Sequence, residues 1–244
     1  MKFISHAKLW FRARQYQRKH DQGGIAFLQS MVKPGDCVCD IGAHKGGYLY
    51  WMVKQVGSGG SVHAFEPQLS LYHYLEKVKV QLAWNQVHLN HIALSDAEGE
   101  VPLFVPENKK GGAHSSPGAT LLGHNVGDQI HSRQMVRTMT LDGYCSDHNL
   151  HPSFLKIDVE GNELKVFKGG AGVIQSCKPK ILVEIEARHA GQEGMNRTFD
   201  LLDRWGYDGA FFRGAEMMPL SQFDVKMHQT LEKDAVYCNN FVFQ

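Results

Sequence analysis

The stretch Cys37-Val38-Cys39-Asp40-Ile41 followed by Gly42-Ala43-His44-Lys45-Gly46-Gly47 constrains the fold more than any other. Its first five residues form a short apolar run broken by one acid, set between the turn Pro34-Gly35-Asp36 and the glycines. Runs of this kind, buried on both faces, belong to parallel sheets. The glycines open a helix-patterned segment over residues 46–56, so the unit reads strand, turn, helix. The pattern repeats with a strand at 61–66, a helix at 68–82 and a strand at 87–93. Such alternation predicts βαβ units and an α/β fold with a parallel sheet.

Beyond it, residues 101–105 and 135–141 read as two more strands, separated by a loop over 106–130 rich in Gly, Ser, Asn and His. Loops longer than about 12 to 15 residues inside a domain are functional lids or flexible insertions, which makes this one the first candidate for acceptor contact. Residues 154–161 form a strand whose apolar core ends in carboxylates, with a helix over 162–174, and 181–186 repeats the form. A helix at 196–205 and strands at 207–212 and 236–243 complete the chain, where Phe211, Phe212, Phe241 and Phe243 read as core. No composition break marks a second domain, so residues 36–244 are expected to form one domain with the lead-in 1–35 before it. Within that lead-in, Leu9, Trp10, Ala13 and Tyr16 recur at helical spacing among Lys8, Arg12, Arg14, Arg18 and Lys19. We read a solvated amphipathic helix covering one edge of the fold, with contact to an anionic substrate or a membrane surface as the functional alternative.

Composition removes several classes. With 43% hydrophobic residues and a net charge of +1 over 244 residues, the chain is neither disordered nor a basic nucleic-acid binder. No apolar run approaches the roughly 18 residues of a membrane span, and the first 20 residues lack the apolar centre of a secretory leader, so the cytoplasm is the expected compartment. Five cysteines, odd in number and scattered, suit reduced thiols. Cys37 and Cys39 sit in an apolar run and read as core rather than as half of a zinc site, and no metal site is expected.

In open α/β sheets ligands bind beyond the carboxyl ends of the strands. Here those ends carry Asp40 to Gly47, Glu66, Ala93 to Asp96, Asp158 to Gly161, and Glu184 to His189. The first glycine turn has the spacing G-x-x-x-G from Gly42 to Gly46, which departs from the G-x-G-x-x-G of a dinucleotide site. Glu66 falls 20 residues past Gly46, where an ionised carboxylate can accept hydrogen bonds from the two hydroxyls of a ribose. NAD and S-adenosylmethionine would both be held that way, so the glycine pattern separates them.

In this order, CDIGAHKGGY, HAFEPQ, HIALSDAEGEVPLF, TLDGYC, FLKIDVEGNELKVFKGGAGVI, PKILVEIE and NNFVF resemble the FkbM family of S-adenosylmethionine-dependent methyltransferases. The resemblance covers about residues 37–186 and resumes at the end. It implies the Rossmann-like class I methyltransferase fold, a seven-stranded, mostly parallel sheet with an antiparallel last strand and helices on both faces. It also implies S-adenosylmethionine as cofactor and O-methylation of a saccharide, glycan or natural-product hydroxyl, hence a small-molecule or glycan acceptor. Expected cofactor contacts are Asp40, Gly42, Ala43, His44, Gly46, Glu66, Ala93, Ser95 and Asp158. The family commonly has Asn where this chain has His44.

Methyl transfer to a hydroxyl needs alignment of donor and acceptor and a base for the proton. Asp158, Glu160, Glu184, Glu186 and His189 gather at two neighbouring strand ends, where clustered carboxylates raise one another's pKa. Asp158 is the first candidate for the base, with Glu184 and His189 behind it. The same oxygen-rich cluster could hold a hard divalent cation, although no ligand spacing demands one. His114, His124 and His131 read as solvated loop residues. Two other functions fit the pattern: a non-catalytic S-adenosylmethionine-binding partner or regulatory module, and an NAD-dependent oxidoreductase, which the glycine spacing disfavours.

Overall fold

The computed structural model describes residues 6–19, 21–106, 118–123, 131–230 and 236–244. The first apolar run is β1 (Cys37–Ile41), buried from its second residue onward because helices cover both faces of the sheet. Its alternation divides the interior. Val38 joins a core built with α1 (His6–Lys19), α2 (Gln22–Met31), α3 (Gly47–Val56) and α4 (Leu69–Gln81). Cys39 and Ile41 face the second core, packed by α5 (Leu141–Asp147), α6 (Glu163–Gly169), α7 (Ala171–Cys177) and α8 (Ala187–Arg204). All five cysteines are unpaired, as expected.

Strands β2 (Ser61–Phe65) and β3 (Val87–Asn90) extend the sheet on one side of β1, all parallel. On the other side lie β7 (Phe154–Ile157) and β8 (Lys180–Glu184), also parallel, then β11 (Asn240–Phe243), antiparallel, between β8 and β9 (Gly209–Arg213). The order β3-β2-β1-β7-β8-β11-β9 is the expected seven-stranded arrangement with its antiparallel last strand. An eighth strand, β10 (Glu216–Pro219), hairpins onto the outer edge of β9. The chain leaves β1 toward β2 and returns to the other side at β7, so the switch in strand order lies between β1 and β7.

Several boundaries differ from the sequence reading. The strand expected at 87–93 stops at Asn90, and Ala93–Leu94 (β4) joins β5 (Gly99–Pro106) and β6 (His131–Met139) in a separate three-stranded sheet. The strand expected to run to 141 yields to α5, because the Thr140 side chain accepts from the Gly143 amide and caps a helix start. α2 is an element the sequence pattern did not bring out. A Cβ on Gly23 would stand 2.4 Å from the Phe212 ring and one on Gly24 2.3 Å from the Tyr48 hydroxyl, so both are helical glycines required by close packing. The helix expected over 162–174 divides at Gly170, and α8 begins nine residues before 196, kinked at Gly191. Most of the loop 106–130 lies outside the described residues, His114 and His124 included, whereas His131 opens β6. Its described part, 118–123, is pinned by the Thr120 bridge to Phe104 and lies against the site.

Candidate active site

The ends of β1, β2 and β7 are locked together by backbone groups. Gly42 and Ala43 donate their amides to Phe65 O at 3.0 Å each. A Cβ on Gly42 would stand 1.9 Å from Asp158 O, so this glycine is required by the approach of β7 as well as by its φ of 86°. Glu66, at the end of β2, is buried and accepts from the amides of His44 and Gln68, both at 2.8 Å. Burial raises its pKa to about 7 against those two hydrogen bonds.

Around these ends open two adjoining hollows. The larger, about 490 Å³, is walled by Gly42, His44, Glu66, Ala93, Asp158 and Glu184, with Ile92, Leu94, Leu103 and Leu121 as an apolar side. The smaller, about 210 Å³, is walled by Asp40, Ala43, Gly46 and Lys156, with Leu9 and Ala13 of α1. Tyr16, Gly42, His44 and Asp158 border both. A third cleft joins Asp158, Glu160, Glu184, Glu186 and His189.

A buried cation stands at the centre. Asp40 and Lys156 are register partners across β1 and β7, and Lys156, 2% exposed, places its ammonium 3.4 Å from Asp158 Oδ2 and 5.0 Å from the Tyr48 ring centre. Burial opposes that charge, but Asp158, Glu184, Asp40 and Asp21 hold its pKa above the ordinary value. Asp40 is fully buried, and its pKa rises to about 7 through desolvation, with Lys156 opposing and Asp158 adding. Among the described residues, Asp40 Oδ2 has no hydrogen-bond partner. One ammonium thus faces an excess of carboxylates.

At the third cleft, His189 Nδ1 lies 3.2 Å from Glu160 Oε2, while Glu160 Oε1 accepts from the Gly118 amide and its carbonyl from the Thr120 hydroxyl. Burial, Asp158 and Glu186 raise Glu160 to about 7, whereas burial and Arg188 lower His189. The pKa of Glu184 is raised by burial and by Asp158, and its Oε1 accepts from Asn239 Nδ2 at 2.6 Å. The strand expected over 181–186 ends at Glu184, and the same Asn239 amide reaches Glu186, at the start of α8, at 3.3 Å, so one amide joins the two carboxylates. Glu186 is committed elsewhere, bound by Arg188 and by the Tyr237 hydroxyl.

A family model, the methyltransferase FkbM domain, matches residues 40–209. The chain belongs to the FkbM methyltransferase family. Among solved structures it resembles the methyltransferase FkbM of Methylobacillus flagellatus KT, with a TM-score of 0.55 and 15% identity. That match covers 96% of this chain but 58% of the other, so the present chain spans little more than half of that protein. It also resembles the O-methyltransferase of Bacillus cereus solved in complex with SAH, at a TM-score of 0.51 and 12% identity, covering 100% and 90%. At these identities the likeness is one of fold. No curated protein matches at the level of sequence.

Within this FkbM fold, eight of the nine expected cofactor contacts, Asp40, Gly42, Ala43, His44, Gly46, Glu66, Ala93 and Asp158, border one or both hollows. Ser95 lies outside those walls, its hydroxyl on Asp96 and on the Asn162 amide, and a Cβ on Gly169 would meet its carbonyl at 2.0 Å. It anchors α6 to the loop after β4. Of the candidate bases, Asp158 and Glu184 border the large hollow and His189 the third cleft beside them. The sequence reading missed Tyr16 and Lys156. A lysine inside the apolar run Phe154-Leu155-Lys156-Ile157 was a visible signal, since a buried strand tolerates a charge only where a partner awaits it.

Proposed function

We propose that this chain is an S-adenosylmethionine-dependent O-methyltransferase acting on a hydroxyl of a saccharide, glycan or natural-product acceptor. The observation that carries the reading is the electrostatic character of the paired hollows. Asp40, Asp158 and Glu184 surround one lysine, and Asp40 keeps an oxygen with no partner among the described residues. Such a surface accepts a ligand bearing an ammonium and a sulfonium and disfavours the anionic pyrophosphate of a dinucleotide. Glu66, with lone pairs left after its two backbone hydrogen bonds, would hold the ribose hydroxyls, Asp40 the ammonium, and Ile92 and Leu94 the flat base. When bound, S-adenosylmethionine supplies an electrophilic methyl group.

The remaining work belongs to the chain. Asp158 borders all three hollows, which supports assigning its carboxylate the proton of the acceptor hydroxyl. Lys156 fixes its orientation. Glu184 and the Glu160–His189 pair lie behind it as onward proton acceptors, His189 being kept neutral near pH 7 by burial and Arg188. Leu103 and Leu121 close the apolar side and exclude water from the transfer.

Calorimetric titration with S-adenosylmethionine, S-adenosylhomocysteine and NAD tests the cofactor, followed by mass analysis of a saccharide panel for single methyl additions. Binding of the two sulfur compounds alone, with methylated hydroxyls, is the expected result. Binding of NAD alone, or methyl groups found on nitrogen or carbon, would overturn the reading.

A further inference from the structure

α1 has two working faces. Leu9 and Ala13 are buried and wall the small hollow, whereas Trp10, Phe11, Arg14, Gln15 and Arg18 are turned outward. Trp10 is 41% and Phe11 61% exposed, two large apolar side chains side by side on one helix. A helix that only needed solvation would carry polar groups there. The Arg14 guanidinium lies 4.9 Å from the Trp10 ring centre, so the cation sits over the indole rather than reaching away from it. Beside them a groove of about 560 Å³ runs between α1 and α3, lined by Trp10, Arg14, Tyr50, Trp51, Lys54 and Gln55. Lys54 is exposed, with its ammonium 5.9 Å from the Tyr50 ring.

Basic charge is also concentrated in this stretch of the sequence. The first 20 residues hold six Lys and Arg and no Asp or Glu, while the rest of the chain holds 20 basic residues against 25 acidic. An amphipathic indole, an exposed phenyl ring and cations on long stems form the composition of helices that lie in the plane of a lipid–water boundary. We propose that the outward face of α1, with Lys54 of α3 beside it, docks this protein on an anionic lipid bilayer. Trp10 and Phe11 enter the headgroup boundary, and Arg14, Arg18 and Lys54 meet lipid phosphates. A polynucleotide fits less well, because the body of the chain beyond α1 carries an acidic excess that would repel an extended phosphate backbone. Docking also holds α1 from outside against the hollow that Leu9, Ala13 and Tyr16 wall from inside.

The test is co-sedimentation of the full chain with vesicles of phosphatidylcholine alone and of phosphatidylcholine with about 30% phosphatidylglycerol, an anionic lipid. Binding to the anionic vesicles in about 0.1 M salt, and its loss near 1 M, is expected. Arg14→Ala and Arg18→Ala should each weaken it about fivefold. Trp10→Ser with Phe11→Ser should weaken it further, with melting temperature and S-adenosylmethionine affinity unchanged because these side chains face outward. Equal partition into neutral vesicles, no partition into anionic ones, or variants that bind as well as the parent would each overturn the proposal. So would retention of a short RNA while vesicles are ignored.

Discussion

Replacing Asp40 by Asn separates the stability of this protein from its function. The carboxyl of Asp40 is fully buried in β1, and its pKa moves from 3.8 to about 7, desolvation outweighing the attraction of Lys156. A carboxyl whose folded pKa is raised binds its proton more tightly in the native state than in the unfolded chain. Its favourable contribution is therefore complete below pH 3.8 and lost as pH climbs to about 7, above which the buried charge costs the native state about 4 kcal/mol at most. Asn keeps the shape and removes the charge, and Asp158, 3.4 Å from Lys156, remains to pair the ammonium. Half of the bound, about 2 kcal/mol, would raise the melting temperature by about 4 to 8 °C in a chain of this size. Melting should be followed by calorimetry across pH. The gap between Asp40→Asn and parent should widen from about pH 4 to about pH 7 and stay level above, while affinity for S-adenosylmethionine falls. A gap independent of pH, or a variant less stable than the parent at pH 8, would refute the reasoning.

Other substitutions probe single parts of the site. Glu66→Gln should weaken S-adenosylmethionine and S-adenosylhomocysteine by about one to two orders of magnitude in calorimetric titration, since it removes a charged acceptor for two hydroxyls. Asp158→Asn should lower kcat by about 10² to 10⁴ while cofactor affinity changes little, and His189→Asn should lower it less, both read in a single-turnover assay. Gly42→Ala should cost more than about 3 kcal/mol in urea denaturation, because the new methyl would overlap the Asp158 carbonyl at a φ of 86°.

Much of the framework could be read from local pattern. β1, its glycine turn and Glu66 carry their meaning in spacing alone, and the structure joins them through the His44 amide. What escaped depends on contacts between distant segments. Tyr16 walls both hollows only because α1 packs on α3, where the Tyr16 ring rests about 3.5 Å from the Cβ position of Gly47. Local runs also cannot assign strands to sheets: β4, which the sequence reads as the end of the strand at 87–93, joins β5 and β6 in a sheet of their own beside the cavity. At Thr140 the competing signals were both present: β-branched residues favoured strand, but a threonine three residues before glycine, with Asp142 in the first turn, was a helix start.

The same electrostatics yield a linked expectation for the ligand. Asp40, Asp158 and Glu184 share one buried ammonium, so ionising the site leaves negative charge without a partner in a dry interior. A cationic ligand relieves that excess, and relief is greatest when the carboxylates are ionised. The rise in melting temperature given by saturating S-adenosylmethionine should therefore be larger at about pH 7.5 than at about pH 5.5, where Asp40 and Glu66 are mostly protonated. S-adenosylhomocysteine, which lacks the sulfonium charge, should show a smaller difference between the two pH values. Equal shifts at both pH values for both compounds would mean that the ligand does not neutralise this cluster, and that the carboxylates are held for packing between β1 and β7 rather than for a cation.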